Sequence, residues 1–208
     1  MQLMKSAMVA WSLAAMLASS GAGFAQTKVK SVEDMIAEIE AKSGSSAKLE
    51  PFLSSSDPSV RRAAFQTAAS SGDPMLRARV LSDALNSGDT ALRIVALREL
   101  MFSRPNFVVD LQAEDADEEG TAWAAKRGGL FALKITGRFP ELNCLSLSSS
   151  SDCNPAYAVG VEGLAVTMVY SLGAEVRGRF LLNDEAELAG TISDNSLAKP
   201  IPAKIVLF

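Results

Sequence analysis

The spacing of apolar positions changes near the middle of the chain. Up to about residue 105, apolar residues recur at helical intervals, and from Leu130 onward they alternate with polar residues as they do in strands. The change predicts an α+β protein. We expect an N-terminal antiparallel helical repeat, or short α-solenoid, followed by a small antiparallel β-sandwich or open barrel.

The helical half contains a repeat that starts at Asp57, Asp73 and Asp89. Each aspartate can accept hydrogen bonds from the free N–H groups of a first helical turn, and Pro58 and Pro74 suit the first helical position. Five aligned positions stay apolar in all copies and fall on one helical stripe: Val60/Leu76/Leu92, Ala64/Val80/Ala96, Phe65/Leu81/Leu97, Ala68/Ala84/Leu100 and Ala69/Leu85/Met101. The segment is predicted to form three helices of about three turns, packed antiparallel.

An arginine follows each aspartate by four residues, and the continuation is rich in alanine. Over about 50 residues this pattern resembles the second helix of HEAT-like repeats, although HEAT units alternate two unlike helices. The resemblance implies a ladder between the arginines and the cap aspartates of neighbouring helices. Its members would be Asp57, Asp73, Asp89, Arg61, Arg77 and Arg93. The alternative is an arginine row that binds anions.

Six segments of the second half are predicted to be strands because their apolar residues alternate: 130–139, 142–148, 163–171, 175–183, 187–193 and 204–208. Connections are expected at 172–174 and 183–185. The segment 107–109 is either a further apolar turn or a short strand.

The first 25 residues have the pattern of a signal peptide, with Lys5 before an apolar stretch and small residues before a cleavage site between Ala25 and Gln26. An amphipathic membrane anchor is the alternative. After cleavage we expect a helical-repeat domain at 26–112, with a first helix from Ser31, an acidic linker with a short helix at 113–129, and a β-domain at 130–208. Export to the periplasm or to the outside medium follows, and the sequence does not separate the two.

The chain has two cysteines, Cys144 and Cys153, in a serine-rich segment. An even number of cysteines in an exported chain predicts a disulfide. Closing so short a loop contributes roughly 2–3 kcal/mol. A metal site would need more ligands, and the chain has no histidine; no metal or cofactor is expected.

An acidic run precedes the β-half, and Asp115, Asp117, Glu119 and Gly120 resemble the first half of a calcium-binding loop. Lys126 occupies the position where such a loop needs a bidentate glutamate. The run therefore favours a solvated linker or a helix start over a calcium site.

Composition excludes several function classes. The net charge is −4 and the basic residues are scattered, so nucleic acid is not an expected partner. No apolar stretch of the mature chain is long enough to cross a membrane as a helix. Without histidine the usual serine or cysteine nucleophile has no base, and no catalytic motif is present. Paired carboxylates at Asp184, Glu185 and Glu187 lie in a predicted turn, so we predict no enzyme.

Two functions remain. The first is a non-catalytic binding or scaffold protein whose helical repeat holds another exported protein or a peptide. The alternative makes the β-domain a carbohydrate- or lipid-binding module supported by the helices. Its motivation is a set of aromatic residues that could stack on sugar rings, namely Trp123, Tyr157, Tyr170 and Phe180.

Overall fold

The structure is a computed structural model of the 208-residue chain, and it describes residues 44, 47–149, 152–172 and 174–208. The predicted signal peptide, its cleavage site at Ala25 and Gln26, the helix expected from Ser31 and the turn residue Gly173 lie outside these residues. The described residues belong to one compact unit. None of the described helices is long and apolar enough to span a membrane.

The three predicted helices are present, and each begins directly after its aspartate. They are α1 (Pro58–Ala69), α2 (Pro74–Leu85) and α3 (Thr90–Ser103), and residues 47–53 before them are also helical. The side chains of Asp57, Asp73 and Asp89 each accept from backbone N–H groups of the first turn. This satisfies donors that a helix leaves free at its start. We call α1, α2 and α3 together the three-helix segment.

Helix α3 has the most buried residues of the three helices. Its buried side chains include Ala96, Leu97, Leu100 and Met101, and Arg93 is buried among them. Helix α1 packs on α2, and α2 packs on α3. Because Arg61 of α1 reaches Asp89 at the start of α3, these two helices begin at the same end and α2 runs the opposite way.

The second part of the chain forms a single antiparallel sheet of nine strands within the described residues. The strands are β1 (Asn106–Leu111), β2 (Leu130–Lys134), β3 (Gly137–Phe139), β4 (Cys144–Ser146), β5 (Tyr157–Glu162), β6 (Ala165–Leu172), β7 (Ala174–Leu182), β8 (Leu188–Asp194) and β9 (Ile201–Ile205). Their order across the sheet is β2-β1-β9-β8-β7-β6-β5-β4-β3. A short helix, α4 (Glu118–Ala125), lies between β1 and β2 in the chain.

The structure confirms the α+β class and corrects the strand list. The sheet is one curled layer, a half-barrel, which fits the open-barrel alternative and not two packed sheets. Segment 107–109 lies in β1, and β5 was not predicted at all. The strand predicted at 130–139 is divided, because Ile135 bonds to Pro105 while Thr136 bonds to Ser146 on the other side. The last strand is Ile201–Ile205 instead of 204–208.

The two edge strands of the sheet, β2 and β3, are separated by only two residues of chain. The curled sheet therefore begins and ends at the same stretch of chain. Phe107 and Phe180 meet edge to face inside it, with ring centroids 6.4 Å apart. The inner face and the three-helix segment share one continuous apolar core.

Each end of the half-barrel is covered by a helix. Helix α3 crosses one end, where Arg93 contacts Asn183 and Asp184 in the turn between β7 and β8. Helix α4 covers the opposite end, where Trp123 bonds to Asp194 at the last residue of β8. The division into domains at 112 and 129 stays a prediction, and β1, which precedes that boundary, is part of the sheet.

Candidate binding groove

A groove of about 640 Å³ lies where the three-helix segment meets the half-barrel. We call it the arginine groove. Helix α3 forms its floor, α1 forms one wall, and β3 with Pro140 directly after it forms the other. The lining residues are Phe65, Gln66, Ala69, Ser70, Arg77, Val95, Arg98, Glu99, Phe102, Ser103, Arg138 and Pro140.

The helical period explains how α3 serves both the core and the groove. Arg98, Glu99 and Phe102 lie three, four and seven residues after Val95, so the four residues share one face of the helix. The opposite face carries the buried residues of α3. The groove floor is therefore fixed by the same helix that anchors the core.

Arginine side chains hold the floor of the groove, α3, to the wall that β3 forms. Arg138 donates from Nε to the carbonyl of Phe102 at 2.7 Å and from Nη2 to the carbonyl of Arg104 at 2.6 Å. In the reverse direction, Arg98 donates to the carbonyl of Pro140. The guanidinium of Arg98 also lies over the ring of Phe102, 5.6 Å from its centroid. These contacts set the distance between α3 and β3.

Charge in the groove is positive, although the whole chain carries −4. Among the lining residues Glu99 is the one carboxylate, and Arg77 pairs with it at 2.8 Å. Arg98 and Arg138 donate to backbone carbonyls, which are neutral. Two guanidinium charges are thus left without a carboxylate partner among the described residues.

The predicted ladder residues are distributed over several contacts. Arg61 meets Asp89 at 3.0 Å, and Arg77 meets Glu99 instead of a cap aspartate. Arg93 donates to the carbonyl of Leu85 at 3.0 Å and lies 3.3 Å from Asp184. Of the arginines in the alternative anion-binding row, only Arg77 lines the arginine groove.

The cap carboxylates are shifted toward the ionised form. The backbone N–H of Leu92 and then the Arg61 guanidinium lower the pKa of Asp89. Hydrogen bonds from the hydroxyl and the backbone N–H of Ser59 lower the pKa of Asp57. Both aspartates are therefore held as anions by the helices that they begin.

A second polar cluster lies at the other end of the half-barrel. The Asp194 side chain is buried and accepts from Trp123 Nε1 at 3.1 Å, and Arg127 stacks on the indole ring 3.5 Å from its centroid. Burial raises the pKa of Asp194, but hydrogen bonds from Ser196 and Trp123 and the nearby Arg127 outweigh it, and the net effect lowers the pKa. This cluster fixes α4 on the sheet.

The predicted disulfide between Cys144 and Cys153 is present, with Cα atoms 6.3 Å apart. Cys144 is buried in β4, and Cys153 lies in the segment before β5. The bridge ties that segment to the sheet and takes no part in the arginine groove.

The remaining candidates lie elsewhere. Of the four aromatic residues considered for ligand stacking, Trp123 and Phe180 are buried, while Tyr157 and Tyr170 are half-buried against each other. Asp117 in the acidic run is the N-cap of α4 and accepts from the N–H of Gly120. Within the described residues no group of three potential metal ligands comes together.

Comparison with known proteins identified no relative. No protein-family model, no curated protein and no solved structure matches this chain.

Sequence reasoning missed Arg98 and Arg138, the two charged residues that define the groove. Arg98 follows a nearly unbroken apolar run in α3, which is a weak signal of an exposed face. Arg138 lies 40 residues further along the chain, and nothing local shows that it reaches the end of α3. Only the tertiary fold brings the two together.

Proposed function

We propose that this chain is an exported, non-catalytic binding protein whose arginine groove holds a peptide segment of another exported protein. In this proposal, the three-helix segment is a short array of the HEAT-like kind, and the half-barrel is its rigid support. The observation that carries the proposal is the groove at their junction, with an apolar floor and a cationic rim. Grooves along helices are a common way to bind peptides.

Two observations support binding in preference to catalysis. The chain has no histidine. Glu99 of the groove is paired with Arg77 and so is poorly placed to act as a base. The disulfide supports an exported location, since such bonds persist in oxidising compartments such as the periplasm or the outside medium.

The groove is suited to a peptide because its floor and one wall are already fixed to each other. Arg98 and Arg138 join α3 to β3 and Pro140 in the free protein, so little ordering of these side chains is needed on binding. A prearranged site loses less conformational entropy when a ligand binds.

Site-specific photo-crosslinking in the native cells tests this proposal. A photoreactive residue at Gln66, which is exposed in the groove, is expected to capture one defined peptide segment, identified by sequencing of the crosslinked product. The matched control places the same residue at Thr191, exposed on the sheet and outside the groove. If Gln66 captures no more than Thr191 while both variants stay folded, the groove is not a binding site.

A further inference from the structure

We propose that the segment held in the arginine groove is acidic, with an aspartate or glutamate carboxylate bound by Arg98 and Arg138 and an apolar side chain resting on Phe102 and Val95. This inference rests on the proposed binding role of the groove and specifies its ligand.

The first argument is the state of the two guanidinium groups. An arginine carries five N–H donors, and the carbonyls of Phe102, Arg104 and Pro140 occupy only part of this capacity. These acceptors are uncharged and leave the positive charges in place. A carboxylate that approaches both groups would therefore form charge-assisted hydrogen bonds without first breaking an ion pair.

The second argument is the stacking of Arg98 on Phe102. The guanidinium of Arg98 lies over the Phe102 ring, 5.6 Å from its centroid, so the ring attracts the cation without using its N–H donors. The side chain is also already ordered, so binding loses little of its freedom. The pair presents a fixed donor to the ligand.

The third argument is the apolar part of the lining. Phe65 is almost fully buried beneath the groove, and Val95 and Phe102 are half-buried with faces open to it. Such a floor suits an aliphatic or aromatic side chain better than a sugar–phosphate backbone. The phosphate charges of that backbone would lose water and lie against apolar side chains. In an extended peptide, residues two apart point the same way, so an apolar residue and an acidic residue with that spacing fit together.

Fluorescence anisotropy with short labelled peptides tests the inference on the disulfide-bonded chain that starts at Gln26. One peptide contains Phe-x-Glu, a second contains Phe-x-Gln, and a third contains Ser-x-Glu. We expect the first to bind and each of the others to bind at least ~10-fold more weakly, which is the effect of losing about one strong contact. Rising salt should weaken binding of the first peptide more than of the second.

Variants of the protein complete the test. Arg98→Gln should weaken the Phe-x-Glu peptide at least ~10-fold and leave the weak Phe-x-Gln peptide unchanged. Arg138→Lys keeps the positive charge and is the second variant in case Arg98→Gln fails to fold. The matched control is Arg179→Gln, an exposed arginine on the sheet without an ion-pair partner among the described residues, and it should change nothing.

The outcomes separate the two proposals. Two results would overturn the acidic-peptide assignment. One is equal binding of the Phe-x-Glu and Phe-x-Gln peptides, and the other is displacement of the Phe-x-Glu peptide by millimolar inorganic phosphate alone. A neutral or basic segment crosslinked from Gln66 would overturn it too, while the groove would remain a binding site. Absence of any groove-specific crosslink would contradict both the binding role of the groove and the acidic-peptide assignment.

Discussion

Arg138 Nε lies 2.7 Å from the carbonyl oxygen of Phe102, so the edge strand of the half-barrel is bonded to the last turn of α3. A second bond from the same guanidinium reaches Arg104 at 2.6 Å. The two residues belong to parts of the chain that the sequence pattern assigns to different domains. Their contact makes the arginine groove a fixed junction and not a gap between two mobile bodies.

Replacing Arg138 by alanine should destabilise the protein. The change removes two hydrogen bonds of a charged donor, at a cost of about 1 kcal/mol because Arg138 is exposed and water can replace it at the two carbonyls. Urea denaturation of the purified chain measures the free energy of unfolding. The control Arg179→Ala should stay within about 0.5 kcal/mol of the parent. Equal stability of the Arg138 variant and the parent would show that these bonds are not formed in solution.

The three cap aspartates allow an internal comparison of stability. Asp73→Ala removes a helix cap and should cost about 1 kcal/mol. Asp89→Ala removes a cap and also the ion pair with Arg61, so its melting temperature should fall further. A double-mutant cycle with Arg61→Ala isolates the ion pair. Additive effects of Asp89→Ala and Arg61→Ala would contradict a coupling between α1 and α3.

The buried Asp194 predicts part of the acid sensitivity. Because its folded-state pKa is lowered, it stabilises the fold fully above its ordinary pKa of 3.8, and this contribution is lost as the pH falls through the lowered value. Asp194→Asn should cost about 3 kcal/mol at neutral pH, since it breaks a buried, hydrogen-bonded carboxylate cluster. Its stability should then fall less steeply than the parent's below pH 4. Parallel curves for the two proteins would show that folding does not lower the pKa of Asp194.

The disulfide should stabilise the chain by about 2.5 kcal/mol, as expected for closing a short loop. Reducing agent should therefore lower the melting temperature of the parent and leave that of a Cys144→Ser, Cys153→Ser double variant unchanged. Peptide binding in the groove should persist in the double variant, because the bridge lies outside the groove. A parent protein that is insensitive to reductant would mean that the bridge does not constrain the unfolded chain.

Local signals carried most of the helix prediction. The start of each helix can be predicted from a few residues of sequence. Its cap aspartate (Asp57, Asp73 or Asp89) accepts from N–H groups of the turn that follows directly. The three helices accordingly begin where the pattern placed them. The α+β class could also be predicted, because the spacing of apolar residues changes at Leu130 and this change is visible in the local sequence.

The strand pairing and the groove depend on long-range contacts, so the sequence pattern did not predict them. The stretch 130–139 is predicted as one strand, yet it divides because one half pairs with β1 and the other with β4. Strand β5 follows a serine-rich segment, and its Gly160 interrupts the apolar pattern. Arg98 and Arg138 line one groove only because α3 crosses the end of the half-barrel where β3 ends.

Hydrogen exchange tests most directly the central claim, that the three-helix segment and the half-barrel fold as one unit around a fixed groove. The amides of Leu97 and Leu100 in α3, and of Phe180 and Ile192 in the sheet, are buried in the shared core. We predict that all four exchange only by global unfolding, with one common free energy of opening. Distinctly faster exchange throughout α3 than in β7 and β8 would contradict the account, because the helices would then open independently of the sheet.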